Sequence, residues 1–351
     1  MKNLLMCISL IFSIFVPQSY GSNLHDQTLK IQDPCRIGIE AVKVSPDSSY
    51  LAVVCYDDYR SLHTAAYTLV VYDLKGLKEL SRTEFHEESV FVAPNFYPEF
   101  TPDSSELIVF TDNQREIRLN KISMFPPYDL ERNNLKFEGV ALKGVVTSNH
   151  IAENGTIYFG LGRYGEGPSL YSVNPLDFSI EKIFADKPSS ARGEDVKAIS
   201  STDDLVVSLS QDNYLRIYER QQPNYGQKVL LSSKSSPYDV GNKAGLVYVG
   251  AGQNLSEHDI LNGKELSSSS YASSGPSKLL PRPNANLFLV LGKNSTIQIR
   301  SLNTKSLLLD TANLAEYSGL YLPYVPVMDL AENGRVLAVK FKDSLLVSYL
   351  N

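Results

Sequence analysis

The residues of this chain best equipped for chemistry are histidines with carboxylate neighbours, His86-Glu87-Glu88 and Glu257-His258-Asp259. Imidazole and carboxylate together ligate metals or move protons. On a strand, however, adjacent side chains point to opposite faces, so neither triplet chelates on its own. Both read as solvated polar residues of a loop or an exposed strand. The chain has no Gly-x-Ser-x-Gly nucleophile elbow and no phosphate loop. The Gly-rich stretch Gly162-Arg163-Tyr164-Gly165-Glu166-Gly167-Pro168 lies between two β-like runs with no helix to follow, and reads as a flexible loop. No residue is assigned as catalytic or as a metal ligand, and no cofactor is called for.

The elements that would position such residues repeat along the chain. A turn cluster of Ser, Pro, Asp, Asn or Gly precedes an apolar run, and a second, alternating run follows a polar gap. The clearest turns are Ser45-Pro46-Asp47-Ser48-Ser49 and Thr101-Pro102-Asp103-Ser104-Ser105. The apolar runs begin at Leu51, Leu107, Ile157, Leu205, Leu246, Leu287 and Val336, spaced by 56, 50, 48, 41, 41 and 49 residues. A period of about 40 to 50 residues, made of strand and turn, is that of a propeller blade. The expectation is an all-β, single seven-bladed β-propeller over residues 22–351, with four-stranded blades. In each blade, strand a precedes the turn cluster, b is the apolar run, c the alternating run and d follows it. Such a unit cannot bury both faces alone, and stacking the units radially buries them. The last repeat supplies three strands, while Gln27 to Gln32 is an unassigned β-like segment. Pairing Thr28–Ile31 beside Ser344–Ser348 would close the ring and leave no open edge.

Residues 1–21 read as a secretory signal: Lys2, then an uncharged apolar run from Leu4 to Val16, then Pro17 and a small-x-small site, Ser19-Tyr20-Gly21. The apolar run is short for a membrane span, and no later stretch approaches spanning length. The chain is therefore read as exported, to the periplasm or the outside of the cell. The formal charge of −6 becomes −7 once Lys2 is removed, which argues against nucleic acid as a partner. After residue 21 two cysteines are left, Cys35 and Cys55, which either pair or remain separate buried thiols. Asn154, Asn254 and Asn294 each head an Asn-x-Ser/Thr sequence.

The run Val44-Ser45-Pro46-Asp47-Ser48-Ser49-Tyr50-Leu51-Ala52-Val53, followed by Leu69-Val70-Val71-Tyr72-Asp73-Leu74, resembles the repeat of the YVTN and WD40-like propellers. Phe100-Thr101-Pro102-Asp103-Ser104-Ser105-Glu106-Leu107 resembles it too. The resemblance covers essentially the chain after the signal, and blades 1 and 2 carry it best. It implies the fold and leaves function open, because relatives include exported binding proteins, lactonases and quinone-dependent dehydrogenases. The chain has no Trp, hence no Trp-Asp dipeptide, so the ubiquitin- and chromatin-linked roles of WD40 proteins are not carried over. The missing Trp also counts against a stacked quinone.

In a propeller the b–c and d–a connections share one face, and the a–b and c–d connections the other. The a–b turns here are short. The b–c and d–a connections are expected to be long and aromatic, among them Asp57 to His63, Phe85 to Tyr97, Met124 to Tyr128, the loop of Tyr164 and Glu166, Ser267 to Ser274, and Tyr317 to Tyr324. Tyr and Arg on a rigid scaffold make good contact residues. The leading expectation is a monomeric, non-catalytic scaffold that binds a protein or peptide on this face through Tyr59, Arg60, Tyr164, Tyr317, Tyr321 and Tyr324. The alternative is an enzyme, lactonase-like or quinone-linked, with His63, His86 and Glu166 at the channel mouth on the same face. The export reading predicts that protein from its own host starts at Ser22. N-terminal sequencing checks this, and a retained Met1 would contradict it.

Overall fold

The computed structural model describes residues 28–32, 34–61, 64–88, 97–112, 116–142, 145–163, 166–186, 195–220, 222–231, 237–271, 278–291, 297–310, 327–341 and 344–350. They form seven four-stranded antiparallel sheets arranged as a β-propeller. Blade 1 comprises Gly38–Val44, Tyr50–Ser61, Thr64–Asp73 and Lys78–Glu88, as strands a to d. Blades 2 to 6 repeat this order from Tyr97–Phe100, Val145–Ile151, Val196–Ser201, Pro237–Lys243 and Lys278–Arg282 as their strands a. Blade 7 has Met328–Leu330, Val336–Phe341 and Ser344–Tyr349, and its fourth strand is Thr28–Gln32 from the other end of the chain. The closing register runs from Thr28 opposite Ser348 to Gln32 opposite Ser344, as the complementary ends of the sequence required. Strands a of blades 1 to 6 touch in succession and that of blade 7 touches blade 1, so strands a line the centre.

The apolar run of strand b is buried on both sides because alternate residues face different blades. In blade 1, Leu51, Val53 and Cys55 pack against Ala331, Val336, Ala338, Leu345 and Val347 of blade 7. Ala52, Val54 and Tyr56 pack against Phe100, Leu107, Val109 and Ile122 of blade 2. The period-2 geometry of a strand makes this division unavoidable once blades stack on both sides. Close approach has its own requirement in blade 5, where a Cβ on Gly250 would lie 2.1 Å from the Leu279 carbonyl oxygen on strand a of blade 6. Only glycine leaves room there.

The a–b turns follow from their side chains. Pro46 suits the second position of the turn. Asp47 Oδ1 accepts from Ser45 Oγ at 2.7 Å and from the Ser49 N–H at 3.0 Å, and Ser45 Oγ accepts from the Tyr50 N–H at 2.8 Å. Ser48 takes a left-handed φ of 65°, and Ser104 in the matching turn of blade 2 takes 60°. There Asp103 accepts from Thr101 Oγ1 and the Ser105 N–H, and Thr101 Oγ1 accepts from the Glu106 N–H. Short polar side chains replacing backbone partners are what make this phrase a turn signal.

Two expectations about connections need correction. The b–c connections are tight: strand b of blade 1 runs on to Ser61 and strand c begins at Thr64, while in blade 3 strand b reaches Arg163 and strand c begins at Glu166. Asp57–Ser61 and the ends of the Gly162–Pro168 stretch are thus strand, because ladder hydrogen bonds continue where the sequence shows only polar residues. Met124–Tyr128 lies between strands c (Ile117–Ser123) and d (Leu130–Asn134) of blade 2, which puts it on the opposite face from the one expected. The long connections are those from d to a. In that between blades 2 and 3, Lys136–Phe137 and Val140–Ala141 form a small hairpin of their own.

Cys35 and Cys55 are joined in a disulfide across a sequence separation of 20. The bond ties the segment after the closing strand to strand b of blade 1, so it fastens both sides of the seam. A covalent loop of that size stabilises by about 3 kcal/mol through chain entropy. Replacing both cysteines by Ser should therefore lower the unfolding free energy by about that amount. Denaturant titration of the two proteins checks it, and equal midpoints would show that the seam holds without the bond.

Candidate functional site

One rung inward from the a–b turn, four strands a place a polar residue at the same position. Lys43 pairs with Ala52 in blade 1, Glu99 with Ile108 in blade 2, His150 with Tyr158 in blade 3 and Asp329 with Ala338 in blade 7. Asp239 on strand a of blade 5 and Arg282 at the end of strand a of blade 6 join them. Lys43 Nζ lies 2.9 Å from Glu99 Oε2, and Arg282 lies 2.8 Å from Asp239 and 3.3 Å from Asp329. Asp329 Oδ2 also accepts from the Val44 N–H at 2.9 Å, which links blade 7 to blade 1. His150 Nε2 and Ser201 Oγ of blade 4 are 3.0 Å apart. All seven blades thus contribute to one polar belt inside the channel, near the face of the a–b turns.

The belt is electrostatically self-contained. Burial opposes the charge of Lys43, but Asp329 and Glu99 outweigh it and hold the ammonium above the ordinary lysine range. Burial likewise opposes Arg282, and Asp239 and Asp329 outweigh that. Burial raises Glu99 from 4.5 to about 7 against the pull of Lys43, with Asp329 and Glu332 adding to the rise. Burial, then Lys43, lowers His150 from 6.5 to about 4, so its imidazole is neutral at pH 7. Asp239 is raised by burial despite Arg282. Ion pairs in such a place cost solvation and return it through geometry, so they specify which blade adjoins which more than they stabilise. A second charged cluster acts similarly on the other face: the fully buried Arg216 of blade 4 bonds Asp212 and Asp186, and Lys228 also reaches Asp186. Among the described residues, no group of three His, Cys, Asp or Glu side chains could hold a metal ion.

The residues expected from sequence fall elsewhere. Tyr59 and Arg60 lie on strand b of blade 1 and His86 on its strand d, and Glu166 opens strand c of blade 3. For these the backbone alone is described. His63, Tyr164, Tyr317, Tyr321 and Tyr324 lie outside the described residues. The backbone register still brings three of the nine together. Beyond Tyr56, where strand a ends its pairing at Gly38, strands b, c and d of blade 1 continue as a three-stranded ladder. One row is Asp58, Ala66 and His86, and the next is Tyr59, Ala65 and Glu87. His258, expected to be solvated, is instead buried, with Ser256 Oγ at 2.9 Å and the Gly263 carbonyl at 3.0 Å satisfying both ring nitrogens.

No protein-family model matches the chain, and no curated relative matches it. The channel belt was missed because strand a was read only as the segment before each turn. Its signal is nonetheless written there: Lys43, Glu99, His150 and Asp329 each stand two residues before the turn begins, at Ser45, Thr101, Ala152 and Ala331. The two titrations oppose each other. Folded His150 protonates less readily than unfolded, so its contribution is complete above pH 6.5 and is lost as pH falls towards 4. Folded Glu99 holds its proton more tightly than unfolded, so its cost is absent below pH 4.5 and complete above about 7. Glu99→Gln should therefore steepen the fall in thermal midpoint on acidification, and His150→Gln should flatten it. Melting curves from pH 4 to 8 check this, and three parallel profiles would exclude both groups from the pH response.

Proposed function

We propose that the chain is an exported, non-catalytic scaffold that binds an extended protein or peptide segment on the face of its d–a connections. The observation that carries this reading is the blade 1 ladder. Among the described residues, no strand pairs with strand b beyond Tyr56 on the side that strand a occupies earlier. Among the described residues, the backbone of Asp57–Ser61 therefore has no strand on that side, in a blade fastened by the disulfide. A peptide added there as a strand would gain main-chain hydrogen bonds from the edge and specificity from side chains at alternate positions. Strand b changes character at this point, from Leu51-Ala52-Val53-Val54 to Asp57-Asp58-Tyr59-Arg60.

The remaining parts of the reading have their own support. Export rests on residues 1–21, and a disulfide suits an oxidising compartment. The absence of catalysis rests on the channel, where the charged side chains hold one another. A protein or peptide ligand, rather than nucleic acid, rests on the acidic balance of the chain.

In a capture experiment from the exported fraction, replacing Tyr59 and Arg60 by Ala should weaken retention of the partner at least about tenfold, the range of one or two contact anchors. A variant with Tyr317, Tyr321 and Tyr324 all replaced by Ala tests the blade 6–7 connection in parallel. Thermal midpoints of both variants establish that they fold. A partner held equally by wild type and both variants would mean that this face is not the one used.

A further inference from the structure

On the other face, that of the a–b and c–d turns, a groove of about 600 Å³ runs between blades 3 and 4 and takes part in nothing described above. Its floor is one cross-strand row of blade 3, Tyr158, Ser172 and Glu181, supplied by strands b, c and d. Arg220 of blade 4 reaches across. Its guanidinium lies 5.9 Å from the centre of the Tyr158 ring and donates to Thr156 Oγ1 at 2.9 Å and the Asp203 carbonyl at 3.0 Å. The groove is thus a joint product of two blades.

Its polar rim has a definite hydrogen-bonding sense. Asn154 uses its carbonyl oxygen to accept from the Thr156 N–H at 3.1 Å, and Asn174 uses its own to accept from the Leu176 N–H at 3.0 Å. What each amide retains is its NH₂, a donor. A guanidinium is also a donor only. Asn154, Asn174 and Arg220 therefore make a donor wall suited to a carboxylate or an equivalent anion. At the far end of the row the exposed carboxylate of Glu181 is an acceptor, suited to hydroxyl groups. Between them stand Pro175 and Leu176, and Leu176 is 88% exposed, the most exposed large apolar side chain described. It forms an apolar lip that no core residue covers.

We infer that this groove binds a carboxylate-bearing sugar, such as a uronic acid unit of an acidic oligosaccharide. The carboxylate meets the donor wall, the hydroxyls meet Glu181 and the C–H face of the ring lies on Leu176 and Pro175. A volume of about 600 Å³ lies within the range of small-molecule sites. The site is independent of the blade 1 ladder, so the two readings stand or fall separately.

Calorimetric titration of the full chain tests it with three probes: a disaccharide ending in glucuronic acid, the same disaccharide with glucose in that place, and inorganic phosphate. The acidic disaccharide should bind with a Kd of about 1 mM or tighter, and the neutral one at least about tenfold more weakly. Asn174→Asp keeps the oxygen that accepts from Leu176 and turns the donor into an anionic acceptor. It should weaken the acidic disaccharide at least about tenfold with no change in thermal midpoint. Leu176→Ser should weaken both disaccharides and leave folding intact. Equal affinity for the acidic and neutral sugars, indifference to Asn174→Asp, phosphate binding as tightly as the acidic disaccharide, or no binding by any probe would each overturn the assignment.

Discussion

Strand b of every blade is buried on both faces, by a different neighbour on each, and the rest of the structure depends on that condition. A strand with two apolar faces has no stable arrangement in an isolated sheet. It needs a blade before it and a blade after it, so the chain must either continue indefinitely or close. Closure follows by placing Thr28–Gln32 beside Ser344–Tyr349, and the core between blades 7 and 1 is then built like the others, with Ile31, Leu345 and Val347 in it. The disulfide from Cys35 to Cys55 lies beside that seam, the one place where blades remote in sequence must find each other.

Closing the ring gathers seven strands a around an axis and forces a decision about what lines it. Near the a–b turns these strands carry charged and polar side chains that are largely buried. The chain meets them with ion pairs between blades, Lys43 to Glu99 and Arg282 to Asp239 and Asp329, and with the hydrogen bond of neutral His150 to Ser201. Each contact spans a blade boundary, so removing one partner weakens the charge balance of its neighbour across that boundary, which is costly for a buried group. The belt therefore discriminates against wrong neighbours.

The binding sites proposed above lie on the two rims. On one, strands b, c and d of blade 1 continue beyond the pairing of strand a, and among the described residues no further strand joins them there. On the other, the turns of blades 3 and 4 form a groove with donors at one end and an acceptor at the other. Both lie where strands end, the usual place for binding residues on a scaffold. The scaffold is rigid for the reason given above, and a rigid support lowers the ordering cost of any ligand that uses it.

The sequence by itself determined the blades, their number, the strand order and the closing pair, because each rests on local rules. Apolar runs mark strand b, the Ser-Pro-Asp-Ser-Ser phrase marks a turn whose side chains replace backbone partners, and a missing strand at one end matches a spare one at the other. It also contained Tyr59, Arg60 and His86, although not the fact that strands b, c and d continue through them, since polar residues in a ladder look like those of a loop. The channel belt was legible only as one polar residue two places before four of the turns. Which of them met which, whether Cys35 paired with Cys55, and that Arg220 crosses to Thr156 and Tyr158 were decided by the tertiary structure alone. Those contacts join residues far apart along the chain, and their distances are fixed by how far each blade turns about the axis, a quantity that no single repeat encodes.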